Sequence, residues 1–374
     1  MQTIDPLVKI TYAINSQYHT NVKEKYVHIA TTMFSCIAGG IEQAFVDYCE
    51  GLQQRGHRVT AITHPNALIN ASLHKIGITP VTIRNFGEWD VVAVRTLRRL
   101  FQALDPDVIV SHTHRSYILS QRANKGVKPL VGTAHNYNKR AIRMANADGV
   151  LATTHDLMDF MKQNGVPSER IFHIPNMVRC HELPVRRIRQ QPPVIGSLGR
   201  LVTKKGFDIY IDALAQLKAC GYTFTAILGG EGVENNRLQK RARNAGLQDI
   251  LQFPGWIEDK KAFYGGLDIF CLPSLHEPFG IVLLEAFTYG TPVVSSASEG
   301  PRDIITPDCD ALLVPVGDAT ALADAMARLL DDAQLADKLA ANGFAKAKTM
   351  YSMESIAARI EKALETVIAL PPHL

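Results

Sequence analysis

The sequence predicts an α/β protein built from two successive parallel sheets, each covered by helices. Three observations carry that prediction. The 374 residues exceed what one hydrophobic core usually holds, so two domains of up to about 200 residues each are expected. Short β-branched runs alternate with amphipathic helical stretches, the pattern of parallel strands buried on both faces. The alternation stops at a polar, basic, proline-ended segment, Arg179–Pro193, and then restarts. The domains are therefore placed at 1–190 and 191–374, joined through 179–193.

In the first half, the first strand is expected in KYVHIATTMF, with residues 1–24 ahead of it as an extension or an upstream start. A turn containing Gly39 and Gly40 follows, then a helix from Ile41 to Gln54. Two glycines in a strand–helix turn can present N–H groups to a phosphate, although any tight turn also needs glycine. No G-x-G-x-x-G is present, which counts against a dinucleotide-dependent oxidoreductase. Strands are then expected in HRVTAITHP and ITPVTIRN, a helix from about Glu88 to Leu104, and a strand in DVIVSHTH. A helix from about Tyr117, strands in PLVGTAHN and DGVLATT, a helix over His155–Gln163 and a strand in RIFHIPN complete the half. His112 and His114 end one strand, and His135 and Asn136 end the next. Ligands of open α/β sheets bind at that edge. Neither carboxylate nor cysteine completes a zinc set beside these histidines, so a metal site is rejected.

In the second half, PVIGSLGR opens the new sheet, followed by a helix from Gly206, the strand YTFTAILGG, a helix to Ala245 and the strand ILQFPG. Between Gly199 and Gly206 stand Arg200 and Lys205, two cations beside a glycine turn that suit a diphosphate. The stretch Asp268–Pro292 then reads as a buried strand over Ile269–Leu272, a polar turn, and a helix from Phe279 or Gly280 to Gly290. Glu277 and Glu285 bracket the start of that helix. N–H groups near Phe279, Gly280 and Ile281 would take phosphate oxygens, and the carboxylates would accept from sugar hydroxyls. On this stretch alone, a strand–turn–helix with Glu277 as a plain cap fits equally well. PVVSS, ALLVPV and helices from about Asp318 to Ser352 and beyond follow. Asp308-Cys309-Asp310 reads as turn chemistry and not as a metal site.

Composition narrows the classes. Apolar residues make up 46% and charged residues 20%, ordinary for a soluble globular chain. No apolar run is long enough to span a membrane, and no signal-peptide pattern opens the chain. The six cysteines are scattered without a Cys-x-x-Cys pair and read as reduced thiols of a cytoplasmic protein. Residues 1–190 hold 23 Lys+Arg against 14 Asp+Glu, and residues 191–374 hold 17 against 22. The basic first half is expected to meet an anionic acceptor or membrane surface rather than nucleic acid. The helix with Arg95, Arg98 and Arg99 and the basic linker are the candidate contacts.

With Arg200, Lys205, Glu277 and Glu285 in view, the chain resembles the retaining glycosyltransferases of family 4, the glycosyl transferases group 1. The matching stretches are AGGIE at 38–42, DVIVSH at 107–112, TAHN at 133–136, IPN at 174–176, GRLVTKKG at 199–206, LGGEG at 228–232 and HEPFGIVLLEAF at 276–287. The resemblance implies the GT-B fold, two Rossmann-like doubly wound domains facing a central cleft, with the last helix, about 353–369, packing back on the first domain. It implies an acceptor-binding first domain and a nucleotide-sugar-binding second domain. By the same resemblance Glu277 contacts hydroxyls of the transferred sugar and Glu285 those of the ribose. Arg200 and Lys205 neutralise the diphosphate, Gly39, Gly40 and the backbone of Phe279, Gly280 and Ile281 cradle it, and His112 faces the sugar ring. Val110 stands where the family histidine has a partner two positions earlier, and His114 has no family role. His114, His135 and Asn136 are left as acceptor-side candidates.

The implied activity is transfer of a hexose from a nucleotide-sugar to a lipid-linked saccharide or lipopolysaccharide-type acceptor, without cofactor or metal, on the inner face of the cell membrane. A nucleotide-sugar epimerase on the same scaffold and a non-catalytic sugar-phosphate binder are the competing readings. The first needs no acceptor site, which the basic half argues against.

Overall fold

The computed structural model describes residues 26–37, 39–180 and 189–371. The expected extension over 1–24 and the middle of the linker lie outside the described residues. The chain forms two compact units, one of residues 1–175 with 354–374 and one of residues 176–353.

The first unit carries seven strands, β1 His28–Met33, β2 Arg58–Thr63, β3 Val81–Thr82, β4 Val108–Ser111, β5 Leu130–Ala134, β6 Gly149–Ala152 and β7 Ile171–His173. Their order across the sheet is β3-β2-β1-β4-β5-β6-β7, and every pairing is parallel. Almost every strand side chain is buried, as expected when helices cover both faces. Chain order reverses between β1 and β4, where Ile29 faces Val108 and Thr32 faces Ser111. Such a reversal opens a crevice beyond the carboxyl ends of the strands.

The second unit repeats the plan with six strands, β8 Val194–Leu198, β9 Thr225–Gly229, β10 Leu251–Gly255, β11 Ile269–Leu272, β12 Val293–Ser296 and β13 Leu312–Val314. Their order is β10-β9-β8-β11-β12-β13, again all parallel, with the reversal between β8 and β11. Both units are thus doubly wound, Rossmann-like sheets. The two strands at the second reversal are also tied by side chains, since Ser197 Oγ donates to the Cys271 carbonyl at 2.7 Å. Tyr210, fully buried on helix Phe207–Ala219, donates to the Ile195 carbonyl at 2.9 Å.

Several expectations are corrected in detail. ITPVTIRN supplies only the two-residue edge strand β3, whose pairing to β2 is confined to Val81 and Thr82, and an unexpected six-residue helix, Asn70–Lys75, precedes it. The helix expected from Glu88 starts at Val91, where Asp90 Oδ1 accepts from the Ala93 N–H at 2.9 Å. The helix expected from Tyr117 starts at His114, because the Thr113 hydroxyl accepts from the Ser116 N–H and caps it there. The unit boundary falls at Pro175/Asn176, ahead of the expected linker. Met177 and Val178 are buried, and the Val178 N–H bonds to the Tyr351 carbonyl at 2.9 Å, so these residues belong to the second unit.

Helix Met353–Ala369 packs within the first unit. Glu361 pairs with Arg55 and with His57 at 3.1 Å, Arg359 donates to the His173 carbonyl at 2.7 Å, and Val367 lies over Gly149. A Cβ at position 149 would sit 2.6 Å from the Val367 methyl, so this contact requires glycine on β6.

Asp90 has two duties, since its Oδ2 also accepts from the Phe86 N–H at 3.0 Å. Those backbone bonds, the one from Ala93 foremost, hold its carboxyl below the usual range. Asp90→Ala should lower the unfolding free energy by about 1 kcal/mol, the ordinary cost of losing an N-cap. Urea denaturation measures it, and an unchanged midpoint would show that the cap contributes nothing.

Candidate active site

In the second unit the site grows from the two turns that leave β8 and β11. After β8 the chain passes Gly199 and the exposed Arg200, makes a single 3-10 turn over Thr203–Lys205, and enters helix Phe207–Ala219 through Gly206. Gly206 has φ +64°, and a Cβ there would lie 2.1 Å from the carbonyl oxygen of Pro273 at the end of β11. Only glycine permits that approach. The two turns are then stitched together, because the N–H groups of Leu275 and His276 both donate to the Lys204 carbonyl, at 3.0 and 3.1 Å.

This stitching delivers Lys205 to Glu277. The Lys205 ammonium donates to Glu277 Oε2, and Glu277 is only 7% exposed. Ser274 Oγ donates to the same oxygen at 3.3 Å. The Glu277 backbone is held by Glu299, whose Oε2 accepts its N–H at 3.1 Å, and by the Gly300 N–H, which donates to its carbonyl at 2.8 Å. Glu299 Oε1 also meets His276 Nδ1 at 2.6 Å. Burial pushes the Glu299 carboxyl up, but bonds from its own and the Glu277 backbone N–H and from His276 outweigh this, leaving it below the usual carboxylate range. Glu277 therefore does not cap a helix with its side chain. The carboxylate faces a cation, and a second carboxylate fixes its main chain.

Glu285 lies one turn inside helix Ile281–Thr288. Its Oε2 accepts from the hydroxyl of the fully buried Tyr264 at 2.9 Å, and its Oε1 pairs with Lys260. Gly280, at φ +103°, is the N-cap residue and has no side chain to occupy the first-turn N–H groups. The Phe279 side chain is buried in the core of this unit and offers only backbone to a ligand, while Ile281 is half-buried. An uncapped helix N-terminus with Lys205 placed at Glu277 is an arrangement suited to anionic oxygens linked to hydroxyls.

In the first unit, Gly39 and Gly40 lead from β1 into helix Gly40–Gln54, with Gly39 in extended backbone. Inside this helix Glu42 is buried and accepts from Ser35 Oγ at 2.6 Å. His112 follows β4 and is 2% exposed. The rings of Phe45 and Tyr48 meet it edge-on at 5.1 and 4.9 Å, and His135, from the end of β5, stacks on it at 5.8 Å. Burial, and secondarily His135, push its pKa well below the usual histidine value. Its Nδ1 is buried without a hydrogen-bond partner among the described residues.

His114 departs from expectation, since it opens the next helix instead of ending a strand. There its Nδ1 meets Glu88 Oε1 at 3.1 Å, and Arg143 binds the other oxygen of Glu88 at 3.0 Å. His112, His114, His135, Asn136 and Glu88 line one cavity of about 270 Å³.

Sequence reasoning missed Ser274, which contacts Glu277 within the same turn, and Lys260, Tyr264, Glu299 and Glu88, which reach the expected residues from other parts of the chain. Arg98 is corrected, because it is half-buried and its guanidinium donates to the Ala123 and Arg122 carbonyls at 3.2 and 3.0 Å. Asp308 and Asp310 are structural, the first bound to Arg328 at 2.8 Å and the second accepting from the Thr306 N–H at 3.0 Å and pairing with Lys346. A further Asp-x-Asp, Asp105-Pro106-Asp107, is structural as well, with Asp105 paired to Lys128 and Asp107 accepting from the His28 N–H.

The chain matches the family described as Glycosyltransferase Family 4 over residues 38–182 and that described as Glycosyl transferases group 1 over residues 181–346. It is 29% identical over 324 residues to the lipopolysaccharide core biosynthesis glycosyltransferase LpsE of Rhizobium meliloti (strain 1021), covering 85% of this chain and 93% of the relative. It is 28% identical over 367 residues to the phosphatidyl-myo-inositol mannosyltransferase of Mycobacterium leprae (strain TN), covering 88% and 94%. Among solved structures, HepE of Anabaena in complex with UDP and glucose superposes with a TM-score of 0.80 at 23% identity, covering 91% of this chain and all of that one. Sucrose-phosphate synthase from Thermosynechococcus elongatus gives 0.76 at 23% identity, covering 92% of this chain.

The His112 environment has a measurable consequence. The native state keeps this imidazole neutral, whereas the unfolded chain protonates it near its ordinary value of about 6.5. Below that pH the unfolded state binds more protons, so stability falls as pH drops, by up to about 1.4 kcal/mol per pH unit. A His112→Phe variant should lose less stability than the parent between pH 7 and pH 5. Parallel losses would show that His112 titrates normally in the folded protein.

Proposed function

The chain belongs to the group 1, family 4 glycosyltransferases of GT-B fold, and on that premise we propose that it transfers a hexose, with retention, from a nucleoside-diphosphate-sugar to an acceptor of the lipopolysaccharide-core or lipid-linked glycan class. The observation that carries the donor side is the Lys205–Glu277 pair, set at the chain reversal of the second sheet and followed by the uncapped helix N-terminus. Breaking a sugar–phosphate bond leaves charge on a diphosphate. Arg200, Lys205 and the first-turn N–H groups of helix Ile281–Thr288 are the groups that would stabilise it. Glu277, relieved of Lys205 as the ammonium turns to phosphate, accepts from hydroxyls of the transferred sugar. Glu285, steadied by Tyr264, accepts from the ribose hydroxyls. His112, as a neutral imidazole, faces the sugar ring, and retention follows from same-face attack with the departing phosphate as base.

The acceptor class rests on the relatives, which include a lipopolysaccharide core transferase and a phosphatidyl-myo-inositol mannosyltransferase. The cavity lined by His114, His135 and Asn136 supports an acceptor-binding role for the first unit and favours transfer over epimerisation.

The two glutamates should separate kinetically. Glu285→Gln keeps shape but loses the charged acceptor, so donor affinity should fall about tenfold or more, a hydrogen bond to a charged group contributing roughly 1.5–3 kcal/mol. Glu277→Gln should lower turnover more than it weakens donor binding, the mark of an interaction stronger in the transition state. A Glu277→Gln enzyme with normal turnover would remove Glu277 from the chemistry.

Transfer should also survive chelation, because cationic side chains and N–H groups cover the diphosphate. Activity lost in EDTA and restored by manganese or magnesium would overturn this account of the leaving group.

A further inference from the structure

We propose that residues 86–92 form a membrane-docking element, in which Phe86, Trp89 and Val92 enter the interfacial layer of an anionic bilayer while Arg95 and Arg99 engage its headgroups. Four large apolar side chains stand in solvent within these seven residues: Phe86 at 87%, Trp89 at 74%, Val92 at 72% and Val91 at 50% exposure. Large apolar side chains exposed together in one short segment mark an interaction site more often than an isolated exposed residue does.

The patch is built and held. Asp90 ties Phe86 to the helix start, and the Arg122 guanidinium lies 5.1 Å from the Trp89 ring centre while donating to the Glu88 carbonyl at 2.9 Å. The Glu88 carboxylate faces the other way, into the contacts with His114 and Arg143. Fixing aromatic rings outward on an ordered loop forfeits their burial, which an external apolar phase would restore.

Charge selects the phase. Val92, Arg95 and Arg99 follow one another at helical spacing along one face of helix Val91–Leu104, and all three are exposed. Arg84 and Arg115 are exposed in the same unit, and residues 1–190 carry the basic excess of the chain. An aromatic tip beside arginines matches an interface whose apolar layer lies under anionic headgroups. The loop that carries the tip also places Glu88 in the cavity wall, so docking would bring that cavity to the membrane surface where a lipid-linked acceptor resides.

Vesicle binding requires no turnover, so its result is independent of the donor-site chemistry. The full chain carrying Trp256→Phe has Trp89 as its one remaining tryptophan. On addition of phosphatidylethanolamine–phosphatidylglycerol vesicles its emission should shift to the blue, and brominated lipid should quench it. Co-sedimentation should weaken as salt rises and fall about fivefold for each of Arg95→Gln and Arg99→Gln. A Phe86→Ser/Trp89→Ser variant with the parent melting temperature should lose at least tenfold in vesicle affinity. An unshifted emission spectrum, equal binding to phosphatidylcholine vesicles, or undiminished binding by the double variant would each overturn the proposal. A blue shift with a soluble oligosaccharide and not with vesicles would do so too, assigning the tip to a glycan.

Discussion

The second unit depends on one close approach, that of Gly206 to the Pro273 carbonyl. Two turns from different strands can share hydrogen bonds only when their backbones come this near, and a side chain at position 206 would hold them apart. The consequence is electrostatic. Glu277 is nearly buried, and a buried carboxylate without a cation costs several kcal/mol. Lys205 meets that need in the free protein, so the site is pre-assembled around a charge balance that an anionic ligand would redistribute. Glu299 completes the arrangement by gripping the main chain of the same residue whose side chain faces Lys205.

The first unit applies the same topology to a different chemistry. Its chain reversal also places a glycine turn and a charged or polar strand end side by side, but the groups there are histidines packed against aromatic edges. Desolvation keeps His112 neutral, which suits a hydrogen-bonding group near a sugar and does not suit a phosphate ligand. The two reversals therefore carry different chemistry on the same topology, a cation–carboxylate pair in one sheet and a neutral, buried His112 in the other.

Much of this was legible in the residues. The alternating pattern specified two parallel sheets, and strand β11 was read at its observed limits, because a short apolar run closed by Pro273 has one reading in a βα unit. Arg200 and Lys205 stand out because two cations beside a glycine turn suit a diphosphate, and Glu277 because a carboxylate ahead of a helix N-terminus suits the hydroxyls linked to it. Short helices such as Asn70–Lys75 were not legible, since six residues carry too little periodicity. The start at His114 could have been read from Thr113 and Ser116, a capping pattern placed three residues before the helix expected from Tyr117.

What the sequence by itself determined is whatever depends on neighbours along the chain: strand and helix order, the glycine turns, and the charged residues beyond the strand ends. What only the tertiary structure decided is partnership across the chain. Glu285 lies 21 residues from Tyr264 and 25 from Lys260, Lys205 lies 72 from Glu277, and Glu88 lies 26 from His114. Arg98 and Arg95 look alike in sequence, yet one turns inward to two carbonyls and the other stays in solvent. Local periodicity cannot encode such pairings, because they are set by which elements the sheet order brings together and by the free energy of leaving a buried charge or carbonyl unpaired.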